Sequence, residues 1–399
     1  MLNLIVSAEP YGFGPVSKAT ELARVLRTVD AYHVDFAGQE PALTFAEGAA
    51  GVFDSCIFAN HAILADVVTR KRYSLAVSVM EPFLALLAVR HKLPCIYIDS
   101  LYWLWEFPES HEEIDTLEVA ARRMVEAVED AKAVAMLSEL HPHLQQFVGH
   151  FLAGERIVQR FGSVSGLARE RLGGPVEVGG MCPVLTGGSE QNSLQDPRVL
   201  VSLSGLRNPL VTDKLALLWA ESALWLVEEA CEKLDAELVL CGNPSLIGQL
   251  RPGKFRVLSL SDHSTVLNEI RSAACFLAPP GITSLVEAWG LHVPFIALPR
   301  MHYAHETILA RALGIVSELA HNPASGDDAA EWLPAEMRSV AGRRALVEAF
   351  KGTIRDAIMQ PERNCEHWDI HLTQAMGDRD GLKSAVDAIR IFQCKNGLL

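Results

Sequence analysis

At 399 residues, with 49% hydrophobic and 21% charged, the chain has material for two or three buried cores, which excludes global disorder. A formal net charge of −14 excludes a protein that grips a nucleic-acid polymer through clustered Lys and Arg. It leaves room for one that holds a single nucleotide on backbone amides and helix ends.

Short apolar runs, read in chain order, predict strands at 2–6 (LNLIV), 33–37 (HVDFA), 75–79 (LAVSV), 95–98 (CIYI) and 133–137 (AVAML). Runs that are apolar throughout fit a parallel sheet buried on both faces. Helical stretches such as SKATELARVL and EEIDTLEVAARRMVEAVEDA separate them, giving the alternation of βαβ units. The segment 179–198 (GGMCPVLTGGSEQNSLQDPR) has no periodicity and reads as a linker. The alternation resumes with strands at 199–204, 237–241, 255–258, 275–278 and 294–298, and a long helix over 212–233. Further helices are predicted near 334–359 and 380–393.

The expected architecture is α/β: two Rossmann-like, doubly wound domains facing a central cleft. The first covers 1–178 and binds the acceptor; 179–198 is the linker. The second, 199–375, binds a nucleotide sugar, and a C-terminal helix in 376–399 packs back on the first. Such sheets carry their functional loops at the carboxyl ends of the strands. That points to loops 8–17, 99–111, 204–211, 279–284 and 299–306.

No uncharged apolar stretch approaches the about 20 residues that cross a bilayer. No basic segment precedes the first apolar run, so a signal peptide is not expected. The eight cysteines form no CxxC pair, and Cys95 and Cys275 sit in apolar runs. They read as buried free thiols of a reducing, cytoplasmic compartment.

The most informative segment follows the strand at 275–278. Pro279-Pro280-Gly281 is a rigid turn, after which Thr283 and Ser284 fall in the first turn of a helix. Glycine permits close backbone approach, and amides with hydroxyls at a helix N-terminus make an anion site suited to a diphosphate. Glu287, one turn on, is placed to take the two vicinal hydroxyls of a ribose. Thr and Ser also serve as ordinary helix caps, and a surface Glu is ordinarily solvated.

Taken together, Gly281, Thr283, Ser284, Glu287-Ala288, Gly290, Val293-Pro294, Ile296 and Pro299 resemble the donor site of GT-B glycosyltransferases. The similarity is to the branch holding the bacterial lipid II-forming GlcNAc transferase and the natural-product glycosyltransferases. It implies that Gly281, Thr283 and Ser284 hold the donor diphosphate and that Glu287 holds the ribose. Backbone groups near Leu258 and Leu260 would hold the base. Where the family often has Asp-Gln and then Asn-Ala, this chain reads His305-Glu306 and Leu309-Ala310. Arg300, His302 and His305 would suit an acidic sugar, a solvated mixed-charge loop being the plainer reading. Gly205 and Arg207 of the loop SGLRNP add a cation near the expected diphosphate.

On the first domain, Tyr11-Gly12-Phe13-Gly14-Pro15 joins strand to helix. Many relatives carry Gly-x-Gly-His here; this chain has Pro15, so no histidine base stands at that spot. Glu9 is the first candidate for the base and Asp99 the second. Gly14 and Lys18 are assigned to the donor side. Tyr11, Phe13, Tyr102, Trp103 and Trp105 are assigned to a stacking platform for a flat acceptor, against a role as cap of a core. The opening Glu-Pro-Tyr-Gly-Phe-Gly-Pro-Val-Ser-Lys resembles cytosylglucuronic acid synthases and related proteins of nucleoside-antibiotic pathways. That implies UDP-glucuronic acid as donor and cytosine as acceptor.

The expected activity is an inverting glycosyl transfer without metal or cofactor, a UDP-sugar being co-substrate. Expected partners are a nucleotide sugar and a small acceptor, with no nucleic-acid polymer and no membrane span; a homodimer is compatible. A nucleotide-sugar hydrolase or epimerase of the same fold, and a non-catalytic nucleotide-sugar-binding protein, stand as alternatives.

Overall fold

The computed structural model describes residues 2–10, 12–70, 72–183, 197–203, 212–258, 263–301, 303–313 and 340–399. The chain divides into two compact units. One comprises Met1–Pro10, Pro15–Met181 and Met376–Leu399, the other Tyr11–Gly14 and Cys182–Ala375.

The first unit runs β1 (Leu2–Ala8), α1 (Gly14–Val29), β2 (Tyr32–Gly38), α2 (Ala42–Gly48), β3 (Ser55–Phe58), α3 (His61–Arg70), β4 (Leu75–Val79) and α4 (Pro82–Arg90). It continues with β5 (Cys95–Asp99), α5 (His111–Glu126), α6 (Asp130–Ser138), α7 (Pro142–Leu152), β6 (Glu155–Gln159), α8 (Leu167–Leu172) and β7 (Val176–Val178). The sheet is parallel, in the order β3-β2-β1-β4-β5-β6-β7. Leu4 of β1 is in register with Val34 of β2 and Leu75 of β4. β4 and β5 are buried along their whole length, which is why they read as predominantly apolar runs.

The run 133–137, expected as a strand, lies within helix α6. Ala133 and Leu137, four residues apart, turn inward together, and the segment is rich in Ala, a strong helix former. The strands that extend the sheet are β6 and β7, whose Glu, Arg and Gln hid them from an apolar search. β3, at the opposite edge, was likewise not expected.

The start of the expected linker is part of this unit. Gly180 N donates to Asp378 O at 2.7 Å, Gly381 N to Gly180 O at 3.0 Å, and Met181 bridges Asp380. A Cβ on Gly381 would meet the Gly179 carbonyl at 2.2 Å, so this crossing needs glycine. The C-terminal helix Gly381–Lys395 packs on β6 and β7, and its buried Gln393 accepts from the Tyr32 hydroxyl at 2.9 Å. Residues 184–196 of the expected linker lie outside the described residues.

The second unit runs β8 (Arg198–Ser202), α9 (Asp213–Glu232), β9 (Glu237–Cys241), α10 (Pro244–Ile247), β10 (Arg256–Val257), α11 (His263–Ser272), β11 (Cys275–Ala278), α12 (Ile282–Leu291), β12 (Phe295–Ala297) and α13 (Tyr303–Ala312). The helices Val340–Met359 and Pro361–Met376 follow. Its sheet is parallel, ordered β10-β9-β8-β11-β12. Ile354, Ala357 and Ile358 share a core with α9, while Trp368 Nε1 donates to Phe295 O at 2.9 Å and closes the β12 edge.

In each sheet the strand order reverses at one point, between β1 and β4 in the first and between β8 and β11 in the second. Doubly wound sheets bind ligands at the carboxyl ends of the strands flanking such a reversal.

Candidate functional site

At the first reversal, Glu9 follows β1 directly, Glu81 follows β4 after one residue, and Asp99 ends β5. Met80 adopts φ +57° to make the turn. Glu81 then caps α4: its carboxylate accepts from Phe83 N at 3.2 Å, Pro82 occupies the first turn, and Ser78 Oγ donates to Glu81 O at 2.6 Å. All three carboxyl groups are buried, Glu9 being 6% and Asp99 0% exposed.

Helix α7 covers them. Gln146 Nε2 donates to Glu9 Oε1 at 3.3 Å, and His150 Nε2 lies 2.8 Å from Asp99 Oδ2. Glu9 Oε2 is buried and has no hydrogen-bond partner among the described residues. Burial, then the charges of Glu81 and Asp99, push the Glu9 carboxyl well above the usual range. Burial raises Glu81 to about 8, against the Phe83 amide that favours its ionised form. Burial lowers His150, against the pull of Asp99, keeping the imidazole neutral. Glu9 and Glu81 are thus both biased towards their protonated, uncharged forms.

The sequence singled out Glu9 and Asp99 here but not Glu81, Tyr97, Gln146 or His150. Two signals were present. A Glu-Pro pair follows both β1 and β4, and Gln146 and His150 interrupt the apolar face of α7 one turn apart.

Asp99 is fully buried, and both of its oxygens have hydrogen-bond partners. Oδ1 accepts from Leu101 N at 2.7 Å, and Oδ2 from Trp105 Nε1 at 2.6 Å as well as meeting His150. It anchors the loop after β5. Of the expected stacking platform, two members are turned into a core. Tyr102 and Trp103 are buried, Trp103 against Phe161 and Tyr102 against Phe107 and His150. Arg169 stands over Tyr102 and Phe107 and donates to the Tyr102 and Trp105 carbonyls. Three large aromatics in one loop are explained by this core; of them only Trp105 keeps partial exposure.

Gly12 takes φ +69°, and Gly14 begins α1 behind the partly exposed Phe13. Lys18, expected at the donor, is buried instead, with Nζ donating to Gln159 Oε1 at 3.0 Å. The same oxygen accepts from Met181 N, so the lysine ties α1 to β6 and the chain beyond it.

At the second reversal, β11 ends in Pro279-Pro280-Gly281, closed by Gly281 N donating to Pro279 O at 2.6 Å. Gly281 is the N-cap of α12, with extended φ −82° and ψ 145° and no side-chain cap. No acidic residue stands in the first turn. Thr283 and Ser284 lie there, partly exposed, in a first turn whose N-cap, Gly281, has no side chain to cap its amides. Glu287, one turn further, faces His263 of α11, with Nε2 3.2 Å from Oε1.

Arg300 pairs with Glu306 across α13's start. His305 is buried and accepts from Met301 N at 3.2 Å through Nδ1, bracing the loop. Trp219 Nε1 donates to Pro299 O at 3.0 Å and fixes its root. Leu258 is buried, its amide donating to Leu240 O at 2.8 Å. Tyr11, Gly205, Arg207, Leu260 and His302 lie outside the described residues. Among the described residues no three His, Cys, Asp or Glu side chains are grouped to hold a metal ion.

No family model matches the chain, and no curated protein matches it. Solved structures do. The spinosyn rhamnosyltransferase SpnG is 13% identical, with 97% of this chain and 100% of that one covered and a TM-score of 0.51. Phytolacca americana UGT2, solved with UDP-2fluoro-glucose and pterostilbene, is 11% identical over 98% of this chain and 99% of its own, with a TM-score of 0.52. A Listeria monocytogenes protein assigned as a UDP-N-acetylglucosamine 2-epimerase is 11% identical over 96% and 94%, with a TM-score of 0.51. The chain has the GT-B fold, two Rossmann-like α/β units spanning nearly its whole length. Among the described residues no helix is long and apolar enough to cross a membrane.

Proposed function

We propose that the chain is an inverting, metal-independent glycosyltransferase that moves a sugar from a nucleoside diphosphate, UDP first among candidates, to a small planar acceptor. The observation that carries this reading is the first turn of α12. Its uncapped amides, with Thr283 and Ser284, follow a Pro-Pro-Gly turn at the second sheet's reversal. Such a turn stabilises negative charge developing on a departing diphosphate. Glu287 holds the ribose, with His263 orienting its carboxylate.

Glu9, in the ionised form it reaches as pH rises, supplies the base through Oε2. The acceptor attacks the anomeric carbon from the face opposite the diphosphate as its proton passes to Glu9. The likeness of the opening motif to cytosylglucuronic acid synthases supports UDP-glucuronic acid and cytosine as the pair to try first, in cytoplasmic nucleoside-antibiotic synthesis.

A thermal-shift screen with nucleotides and nucleotide sugars tests the reading. Stabilisation by a uridine or thymidine diphosphate is expected, and none by any nucleotide contradicts it. The Listeria epimerase likeness favours a second reading, conversion of a nucleotide sugar with no external acceptor. A new or free sugar appearing without acceptor would identify that case.

A further inference from the structure

Gln146, Gly149 and His150 share one face of α7, spaced three and four residues apart, and that face lies on β5. A Cβ on Gly149 would come within 2.7 Å of the Tyr97 ring, so the helix backbone rests directly on the tyrosine. The ring meets His150 edge-on at 4.8 Å, and its hydroxyl donates to Gln146 Oε1 at 2.5 Å. From the other end of the same amide, Nε2 donates to the Met80 carbonyl at 3.1 Å and to Glu9 Oε1 at 3.3 Å.

Elementary chemistry leaves this amide one orientation. The Met80 carbonyl only accepts, so the nitrogen must face it, and the tyrosine hydroxyl then meets the amide oxygen. Both amide hydrogens are used, one on Met80 and one on Glu9 Oε1. An amide nitrogen accepts nothing, so a proton on Oε1 directed at Gln146 would have no acceptor there. The exchangeable proton of Glu9 therefore belongs on Oε2, the buried oxygen with no hydrogen-bond partner among the described residues.

We propose that Gln146, locked by Tyr97 and the Met80 carbonyl, is a positioning residue that assigns the Glu9 proton to Oε2. That oxygen is then the one that exchanges a proton with a bound acceptor. The inference rests on Glu9 as the acid–base group of the proposed function. The step balances from the ionised carboxylate, Glu9 having first released its own proton to solvent: the acceptor's N–H or O–H bond breaks and its proton goes to Oε2. The acceptor electron pair forms the bond to the anomeric carbon, and the old glycosidic pair leaves on the diphosphate. The titratable groups around Glu9 are Glu81 at the start of α4, Asp99 and Tyr97 on β5, and His150 on α7. Glu81 and Asp99 add to the burial that holds the Glu9 proton on.

Infrared difference spectra of chain labelled with carbon-13 glutamate, assigned by Glu9→Gln, test the inference without reference to turnover. Gln146→Met removes the donor to Oε1, and the carbonyl stretch of protonated Glu9 should move to higher frequency. In the same variant, turnover should fall about 10-fold or more, its rise with pH should shift, and donor affinity should stay within 2-fold. An unmoved stretch and an unmoved pH profile would overturn the assignment. Tyr97→Phe, which keeps the Met80 contact, should give a smaller shift of the same sign and serves where Gln146→Met does not fold. A shifted stretch in a protein that transfers no sugar would sink the proposed function while leaving the Gln146 assignment standing.

Discussion

The two strand-order reversals share one topology and carry opposite chemistry. The first gathers three carboxyl groups and closes them in beneath α7, with Glu9 Oε2 and His150 Nδ1 buried and without a hydrogen-bond partner among the described residues. The second presents helix amides and two hydroxyls with no carboxylate in the first turn. Burial and mutual repulsion favour a proton at the first, whereas on the proposed function the helix N-terminus of the second would hold an anion. A glycosyl transfer requires both, a proton accepted from one partner and charge stabilised on the other.

The largest effect expected is from Glu9→Gln. Removing a general base costs about 10²–10⁴ in rate, and UDP affinity should stay within 2-fold of the parent. Equal loss of both would remove the division of labour between the crevices.

Next comes Gly281→Val. The backbone there is extended, and a Cβ would meet nothing nearer than the Pro279 carbonyl at 3.9 Å, so the fold has room for it. A diphosphate on the first turn does not. Thermal midpoint should hold while UDP affinity drops about 10-fold or more, about 1.4 kcal/mol.

Asp99→Asn separates an anchor from a base. Leu101, Trp105 and His150 lose a buried carboxylate partner, and a stability loss of about 1–3 kcal/mol is expected in denaturant titrations. A variant of wild-type stability with abolished turnover would restore Asp99 as a catalytic residue.

A subtler effect concerns Glu81. Its folded pKa of about 8 lies above the ordinary value of 4.5, so the folded state binds the proton more tightly. The stability this confers is full below about 4.5 and is lost as pH rises towards 8, an effect on the order of a few kcal/mol. Glu81→Gln should flatten the profile in that window, and an unchanged slope would contradict the buried carboxyl. The smallest effect is Arg300→Ala. The pair with Glu306 is exposed and worth at most about 1 kcal/mol, so midpoint and UDP affinity should barely move.

Much of the fold was legible because strands buried on both faces, such as LAVSV and CIYI, are almost wholly apolar. Where the rule fails it fails physically: AVAML is equally apolar but belongs to a helix, and ERIVQ is a strand with polar ends near the edge of the sheet. At the site, the Pro-Pro-Gly turn and the hydroxyls after it were readable because their chemistry is local. The roles of Asp99, Lys18, Tyr102 and Trp103 were not, since each depends on a distant partner. Asp99 meets His150 and Lys18 meets Gln159; Arg169 holds the Tyr102 loop, and Phe161 packs on Trp103. Gln146 was invisible for the same reason, because its meaning lies in contacts to Glu9, Met80 and Tyr97 at once.

The central claim, that the second unit holds a nucleoside diphosphate on the first turn of α12, is tested most directly by calorimetric titration of UDP. Wild type and Gly281→Val should be titrated side by side. The account predicts saturable binding to wild type and its loss in a Gly281→Val protein of unchanged thermal midpoint. No heat with wild type, or equal binding by both, would contradict it.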